Sequence, residues 1–535
     1  MNEMIYNPME EFDRKFKDLH LENTKKHFDM LTEQSHIDVE ANRKTVKEHK
    51  RLSENLKKIK RRYNLLRVLR ILMYITLLLI PIVIWKVTPR IRALKAEIER
   101  ADQRIEELYE LALSQMAPLN ALFTDRDSLM IIEQTMPLVS FAPCFTAQQE
   151  ANMVTNYDFE AESEENGSTV DLLAGEYNGN PFLFENRLCH TMGTELYHGY
   201  KTIRWSERYR GSDGKMHTRT RTQSLHATVQ KPKPFFTSQV RLQYCAQGGP
   251  ELSFTRDATN LDEKNERQIE RYVKKGEKRL KKKTDKAIGK NQSFTSMSNT
   301  DFEVLFDALD RTHEVQFRTL FTPLAQTNMV DLIRSQTAYG DDFHFIKKKR
   351  TNTIITEHSQ GRAITVPASA YVSYSYDYTK ECFIGRNTEF FKQVYFDFAP
   401  LLAIPLYQER PVHSLQPIPD CPHAYSHREC EALSYAVSTE YTVHPSTKTQ
   451  AILRSVPVRS EGGVDEICIK SFSYDIVPRV DYVSVHGDDG RWHSVPVPWD
   501  DYIPLTSSHS FFVASEALAA EHFIMAKRGG LCIFN

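Results

Sequence analysis

At 535 residues the chain is long enough for about three domains, or for one large β-rich unit. Its formal net charge of −1 excludes a whole-molecule field toward nucleic acid or anionic lipid, so any such attraction must come from local charge clusters. With 29 Phe and 24 Tyr against 20 Gly, it is unlike a disordered or low-complexity chain and has the apolar surface for a substantial core.

Residues 1–64 are charged and contain neither Gly nor Cys. They predict helix, with Phe12, Phe16 and Leu19 on one face but no sustained heptad. The run ILMYITLLLIPIVIW (Ile71–Trp85) then carries no charge. Positions 68–88 reach the roughly 20 residues a spanning helix needs if Arg70 and Lys86 snorkel to the headgroups. Pro81 is tolerated in such a helix, and Trp85 sits where an interfacial aromatic belongs. A buried core helix is the alternative, but the missing polar face and the basic flanks favour a transmembrane helix over 65–88. Lys57, Lys58, Lys60, Arg61, Arg62, Arg67 and Arg70 lie upstream, and Lys86, Arg90, Arg92, Lys95 and Arg100 downstream. The upstream excess places the N-terminus in the cytoplasm of a single-pass cell-membrane protein and leaves the side of the C-terminal region open.

From Pro89 a second helix is expected. Ile91, Leu94, Ile98, Ala101, Ile105, Leu108 and Ala112 alternate three and four apart, the seam of a coiled-coil stalk over 89–117. Such a stripe must bury against a second copy, against the soluble domain or against the N-terminal helix. Residues 118–262 read as strands. Asn178-Gly179 between LLAGEY and NPFLF is a hairpin signal, and Asp213-Gly214 separates TIRWSERY from KMHTRTRT, a half-buried antiparallel pair. Residues 263–292 form a basic, exposed segment, with twelve Lys or Arg against five acids over 263–291. Over 293–535 helices interrupt the strands. Thr322 and Pro323 cap and open one, and Phe390, Phe391, Val394, Tyr395 and Phe398 line another that ends at Pro400. Hairpins are expected at Gly462-Gly463 and Gly487–Gly490. The fold class is α+β with mainly antiparallel sheet.

The stretch TDFEVLFDALDRTHEVQFRTLFTPLAQTNMVDLI (Thr300–Ile333) resembles an uncharacterised family of bacterial membrane-anchored proteins. Its members carry an FEV-type strand, a short helix after an aspartate, and a leucine-threonine-proline step into another helix. Phe302, Glu303, Val304, Asp310, Leu320, Thr322 and Pro323 match that order, and LLAGEYNGNPFLFEN (Leu172–Asn186) is similar to the family's hairpin. The resemblance implies a fold and a tether, without a reaction or functional residues. Family members often have two spans near the N-terminus, whereas one is evident here.

The sharpest constellation is CPHAYSHREC. Cys421, His423, His427 and Cys430 are ligand types that zinc prefers, although four ligands within ten residues close a tetrahedron with difficulty. The same residues also read as a capping box, Ser426 with Glu429, opening a helix, or as a Cys421–Cys430 disulfide. Templates for acyl transfer, metalloproteases, nucleotide binding and dinucleotide binding are missing. Asp341-Asp342, Asp488-Asp489 and Asp500-Asp501 could ligate a cation or serve as acid and base, but two of these pairs sit next to glycine in expected turns, and turn chemistry is the simpler explanation. In the basic segment, Lys274, Lys275, Lys278, Arg279, Lys281, Lys282 and Lys283 are candidates for anionic lipid or phosphate. Nucleic acid is set aside because Tyr272 alone interleaves them. The expected function is a membrane-tethered binding or scaffold protein, with the bilayer, anionic lipid and a second copy through residues 91–112 as partners. The alternative is a zinc-dependent enzyme or sensor.

Overall fold

The computed structural model describes the chain apart from residues 1–3, 76–82, 161–165, 213, 260, 262–263, 290–295, 336–338, 412–424, 438, 462–463, 515–524, 528–529 and 534–535. Its main elements in chain order begin with α1 (Lys17–Ser35), α2 (Val39–Ile75), α3 (Thr88–Asn120), α4 (Asp127–Thr135), β1 (Val139–Phe141), α5 (Ala147–Tyr157), β2 (Gly167–Tyr177), β3 (Asn180–Arg210) and β4 (Met216–Cys245). Then follow β5 (Ser253–Arg256), α6 (Glu266–Gly289), α7 (Thr300–Phe306), α8 (Glu314–Leu320), α9 (Pro323–Arg334), β6 (Phe343–Lys348), β7 (Thr351–Thr356) and α10 (Tyr376–Leu402). The chain ends with α11 (His427–Ala436), β8 (Ile452–Glu461), β9 (Val464–His486), β10 (Trp492–Ala514), β11 (Met525–Lys527) and β12 (Gly530–Ile533). It divides into two compact units. A helical unit comprises Met9–Pro137 and Thr365–Tyr395; a sheet unit comprises Met1–Pro8, Leu138–Ile364 and Phe396–Asn535.

In the helical unit, Phe12 and Phe16 occupy a π-helical turn ahead of α1 and rest on α10, Phe12 lying 5.0 Å from Tyr395 between ring centroids. The buried face of α1 continues through His20, Thr24, His27, Phe28 and Leu31. Three of these are polar, so hydropathy alone loses the stripe. Their polar atoms are satisfied locally, as burial demands: Thr24 donates to the His20 carbonyl, and His27 Nε2 lies 3.3 Å from Asp127.

Helices α2 and α3 pair antiparallel. Asn42 Nδ2 donates to the Ala112 carbonyl, Glu48 faces Arg104 at 3.6 Å, and Lys60 meets Asp102 at 3.0 Å. The expected seam of α3 is the face turned inward, with Ile91, Leu108 and Ala112 buried and Leu94, Ile98, Ala101 and Ile105 half-buried. Its mate on α2 is a second heptad: Asn42, Thr45, His49, Leu52, Leu56, Ile59, Tyr63 and Leu66 are all buried or half-buried and alternate three and four apart. The seam therefore finds its partner helix within the same chain.

This arrangement corrects the transmembrane expectation. Among the described residues no helix is long and apolar enough to cross a membrane. The expected span over 68–88 is not one described helix. Residues 68–75 end α2, a π-helical turn occupies Val83–Val87 and α3 starts at Thr88, while residues 76–82 lie outside the described residues. Because α2 and α3 run side by side, the basic flanks belong to two paired helices, and comparing their charges no longer assigns two sides of a membrane. The single-pass, cell-membrane and cytoplasmic-N-terminus readings fall with the span. Val68, Ile71, Leu72 and Trp85 are exposed, so the ends of the apolar run are not a buried core helix either.

The sheet unit carries a seven-stranded sheet, β1-β2-β3-β4-β7-β6-β5, and a five-stranded one, β11-β12-β10-β9-β8. Every pairing is antiparallel, as the α+β expectation held. Asn178 and Gly179, both at positive φ, turn β2 into β3 with Tyr177 opposite Asn180. Phe398 of α10 packs edge-on against Phe182 and Phe184 at 5.0 and 5.5 Å.

Two local expectations change. The FEV segment is helical: Asn299 accepts from the Phe302 N–H and opens α7, whose Phe302 and Phe306 stack and meet Phe321. Helix α10 begins at Tyr376 and runs through Pro400, which forfeits one backbone donor within the last turn rather than ending the helix.

Beyond the sheet, β3 and β4 continue as a two-stranded ribbon out to the pair Arg210–Met216, and β9 and β10 form a second ribbon out to His486–Trp492. The ribbons pack on each other: Ile203, Leu225 and Ala227 of the first bury against Val495 and Val497 of the second. At the crossing a Cβ on Gly199 would stand 2.1 Å from the Pro496 carbonyl oxygen, so only glycine allows the approach.

Candidate functional site

The Cys/His constellation is divided. Cys421 and His423 lie outside the described residues, while His427 and Cys430 stand on the first turn of α11. Ser426 accepts from the Glu429 N–H at 3.1 Å, the first half of the expected capping box. Glu429 Oε2 instead accepts from the Phe145 N–H at 2.8 Å, stitching the helix start to another segment. His427 Nδ1 lies 3.3 Å from the Ser455 carbonyl oxygen. Cys430 is a free, fully buried thiol in an apolar cluster with Leu433, Leu453, Ile467 and Phe511, and burial raises its pKa. That environment opposes the thiolate a metal requires. Among the described residues no group of three or more His, Cys, Asp or Glu is placed to hold a metal ion.

The basic segment is helix α6. Ile269, Val273 and Leu280 are buried along one edge, and Lys283 donates to the Leu309 carbonyl. Lys274, Lys275, Lys278, Arg279, Lys281 and Lys282 are exposed on the rest. Arg279 is partly neutralised by Asp307 at 2.6 Å. Of the seven candidates, six face solvent and Lys283 serves the packing.

The strongly shifted ionisable groups were not visible in the sequence. Glu185, wholly buried on β3, accepts from Thr169 and meets Arg241 and Arg428 at 2.7 and 3.0 Å. Burial alone would raise its carboxyl, but the two guanidiniums outweigh it and hold it at about 2. Glu431 is pushed up to about 7 by burial, against the partial offset of Arg454. Lys347 is lowered to about 7 by burial, its ammonium donating to the carbonyls of Gly248 and Lys349. Asp341 pairs with buried Arg256, and Asp342 with His358 at 2.5 Å, so this acidic pair does more than shape a turn. Asp489 and Asp501 meet His493 and Arg479. Perturbed groups commonly mark active sites. Glu185, Glu431 and Lys347 are each buried among bonded partners, so their shifts belong to the fold.

Two exposed cationic surfaces stand out among the described residues: the outer face of α6, and a face of the β3–β4 ribbon. No protein-family model, curated protein or solved structure matches the chain.

Proposed function

We propose that this is a binding or scaffold protein that engages phosphate-bearing anions through the outer face of α6. The observation that carries this reading is the division of labour on that helix. Its apolar edge is docked, which fixes the helix, while six of the seven candidate cations stand exposed. A docked helix loses little further entropy on binding, and each cation near an anionic surface contributes about 1 kcal/mol.

The test is co-sedimentation of the full chain with vesicles of phosphatidylcholine and phosphatidylserine, alongside binding to inorganic polyphosphate. Lys278, Lys281 and Lys282 are changed together to Gln, leaving Lys283 to its packing role. At about 1 kcal/mol each, their loss weakens binding to at least one probe by about 100-fold at low salt. Unchanged affinity for both probes, or no binding of the wild-type chain to either, would sink the reading.

A further inference from the structure

We infer that the solvent-facing side of the β3–β4 ribbon is a second binding surface, built to hold the sugar-phosphate backbone of a nucleic acid. Directly opposed residues of an antiparallel pair share a face, and the register sets even-numbered residues of β3 against even-numbered residues of β4. The odd-numbered side is the one covered by the β9–β10 ribbon, through Ile203, Leu225 and Ala227. The even-numbered side of the outer ribbon, from Leu196 to Arg210 and from Met216 to Gln230, is exposed at every position.

That exposed side has no carboxylate anywhere from His190 to Arg210 or from Met216 to Phe236. Glu195 and Glu207, the acids of this stretch of β3, both fall on the odd-numbered side, where Glu207 neutralises Arg219 and Arg221 at 2.8 and 2.6 Å. Arg204, Arg208 and Arg210 lie on the open side. Among the described residues Arg204 and Arg208 have no ion pair or hydrogen bond, and Arg210 donates only to the Gly214 carbonyl at the turn. The same charged residue type is thus cancelled on one face and left available on the other.

The residues between and opposite these arginines select the partner. Arg204 stands opposite Thr222, Ser206 opposite Thr220, and Arg208 opposite Thr218. Guanidinium forks and hydroxyls are the side chains that contact phosphate oxygens in nucleic-acid complexes. Over these pairs the face offers neither an acid nor an apolar side chain. A lipid surface would reward apolar insertion there, whereas a phosphate backbone needs donors alone. With about 3.4 Å per residue, Arg204 to Arg210 spans roughly 20 Å, enough to follow several phosphates. A two-stranded ribbon is also an element the major groove admits. Nearer the sheet, Tyr200 stacks on His226 at 4.7 Å, presenting exposed flat rings beside the charged row.

The test uses the full chain and a fluorescent DNA duplex of about 24 base pairs of mixed sequence, followed by anisotropy from about 50 to 200 mM salt. The variant R204Q/R208Q/R210Q changes only exposed side chains, and circular dichroism checks that it folds. It is expected to weaken binding at least tenfold at the lowest salt. It should also reduce the slope of log affinity against log salt by about 2 to 3, since each lost phosphate contact contributes about 0.9. Made in the K278Q/K281Q/K282Q background, the arginine changes should lower the slope by the same amount, which separates this surface from the one proposed on α6. The inference is overturned if the wild-type chain does not bind the duplex at the lowest salt, or if the arginine variant binds like wild type. It is equally overturned if that variant loses binding to phosphatidylserine vesicles while its DNA affinity is unchanged.

Discussion

Two buried histidines, one in each unit, show how the same side chain is put to opposite uses. In the helical unit, His20 lies flat on Phe391, ring centroids 4.0 Å apart, with Nδ1 at the Thr135 hydroxyl and Nε2 at the Asn387 carbonyl. Burial outweighs that carbonyl and lowers its pKa to about 3, so it is neutral. In the sheet unit, His358 is stacked on Tyr339 and held between Asp342 at 2.5 Å and Asp397 at 3.3 Å. Burial again pulls its pKa down, but the two carboxylates outweigh it and raise it to about 9. Burial is common to both; the formal charge of the partners decides the outcome. His20 is buried among neutral hydrogen-bonding partners, whereas His358 is buried within an ion network.

The largest expected effect comes from breaking such a network. Asp397 accepts from Thr356 and Ser359, both at 2.6 Å, and pairs with Arg362 as well as His358. Asp397→Asn keeps the volume but leaves two cations short of their anion, and removing one partner of a buried ion network costs about 3–5 kcal/mol. Urea unfolding of the variant should show that loss. A change below about 1 kcal/mol would mean the network is hydrated and the contrast with His20 is overdrawn.

Part of this fold is written in local chemistry and part is not. The Asn178-Gly179 hairpin and the Thr322-Pro323 helix start were legible because turn and cap chemistry is local, and the seam from Ile91 to Ala112 was legible as a period. Its partner on α2 was not, since Asn42, Thr45 and His49 occupy heptad positions without being apolar. The apolar run from Ile71 to Trp85 suggested a bilayer because hydropathy does not register that the flanking helices pair with each other. Asp342, His358 and Asp397 are scattered over 56 positions, and no spacing rule joins them. Of the candidate site, the lysines of α6 were visible as a dense run. The arginine face of the ribbon was missed because its signal has a period of two: the acids of β3 occupy only odd positions.

The two histidines should give opposite pH dependences of stability. His20 is charged in the unfolded chain below about 6.5 but stays neutral in the fold down to about 3, so the unfolded state binds more protons between those values. Stability therefore falls as pH drops through that window. His358 is charged in the fold up to about 9, so its stabilisation is fully present below about 6.5 and is lost as pH rises through about 9. Glu431 and Lys347 add slopes of their own, so the comparison is the difference between wild type and each single variant. His20→Gln should flatten only the acid limb, and His358→Gln only the limb between about 6.5 and 9, each by up to a few kcal/mol across its window. Equal effects of both variants on the same limb would refute the assignment of opposite charge states.

The smallest effect should come from an ion pair of the same chemistry placed in water. Arg279 of α6 meets Asp307 at 2.6 Å, a shorter distance than separates His358 from Asp397, yet its side chain is 54% exposed. Distance alone would rank it among the strongest pairs in the chain. Solvent screening and the entropy of holding a long side chain reduce such pairs to a median below about 1 kcal/mol. Arg279→Ala should therefore change unfolding stability by no more than about 0.5 kcal/mol, and that small change should shrink further in high salt. A salt-insensitive loss of about 2 kcal/mol would place the pair with the buried networks. It would mean that the arginine's stem, packed along the helix surface, anchors α6 as firmly as Ile269 and Val273 do.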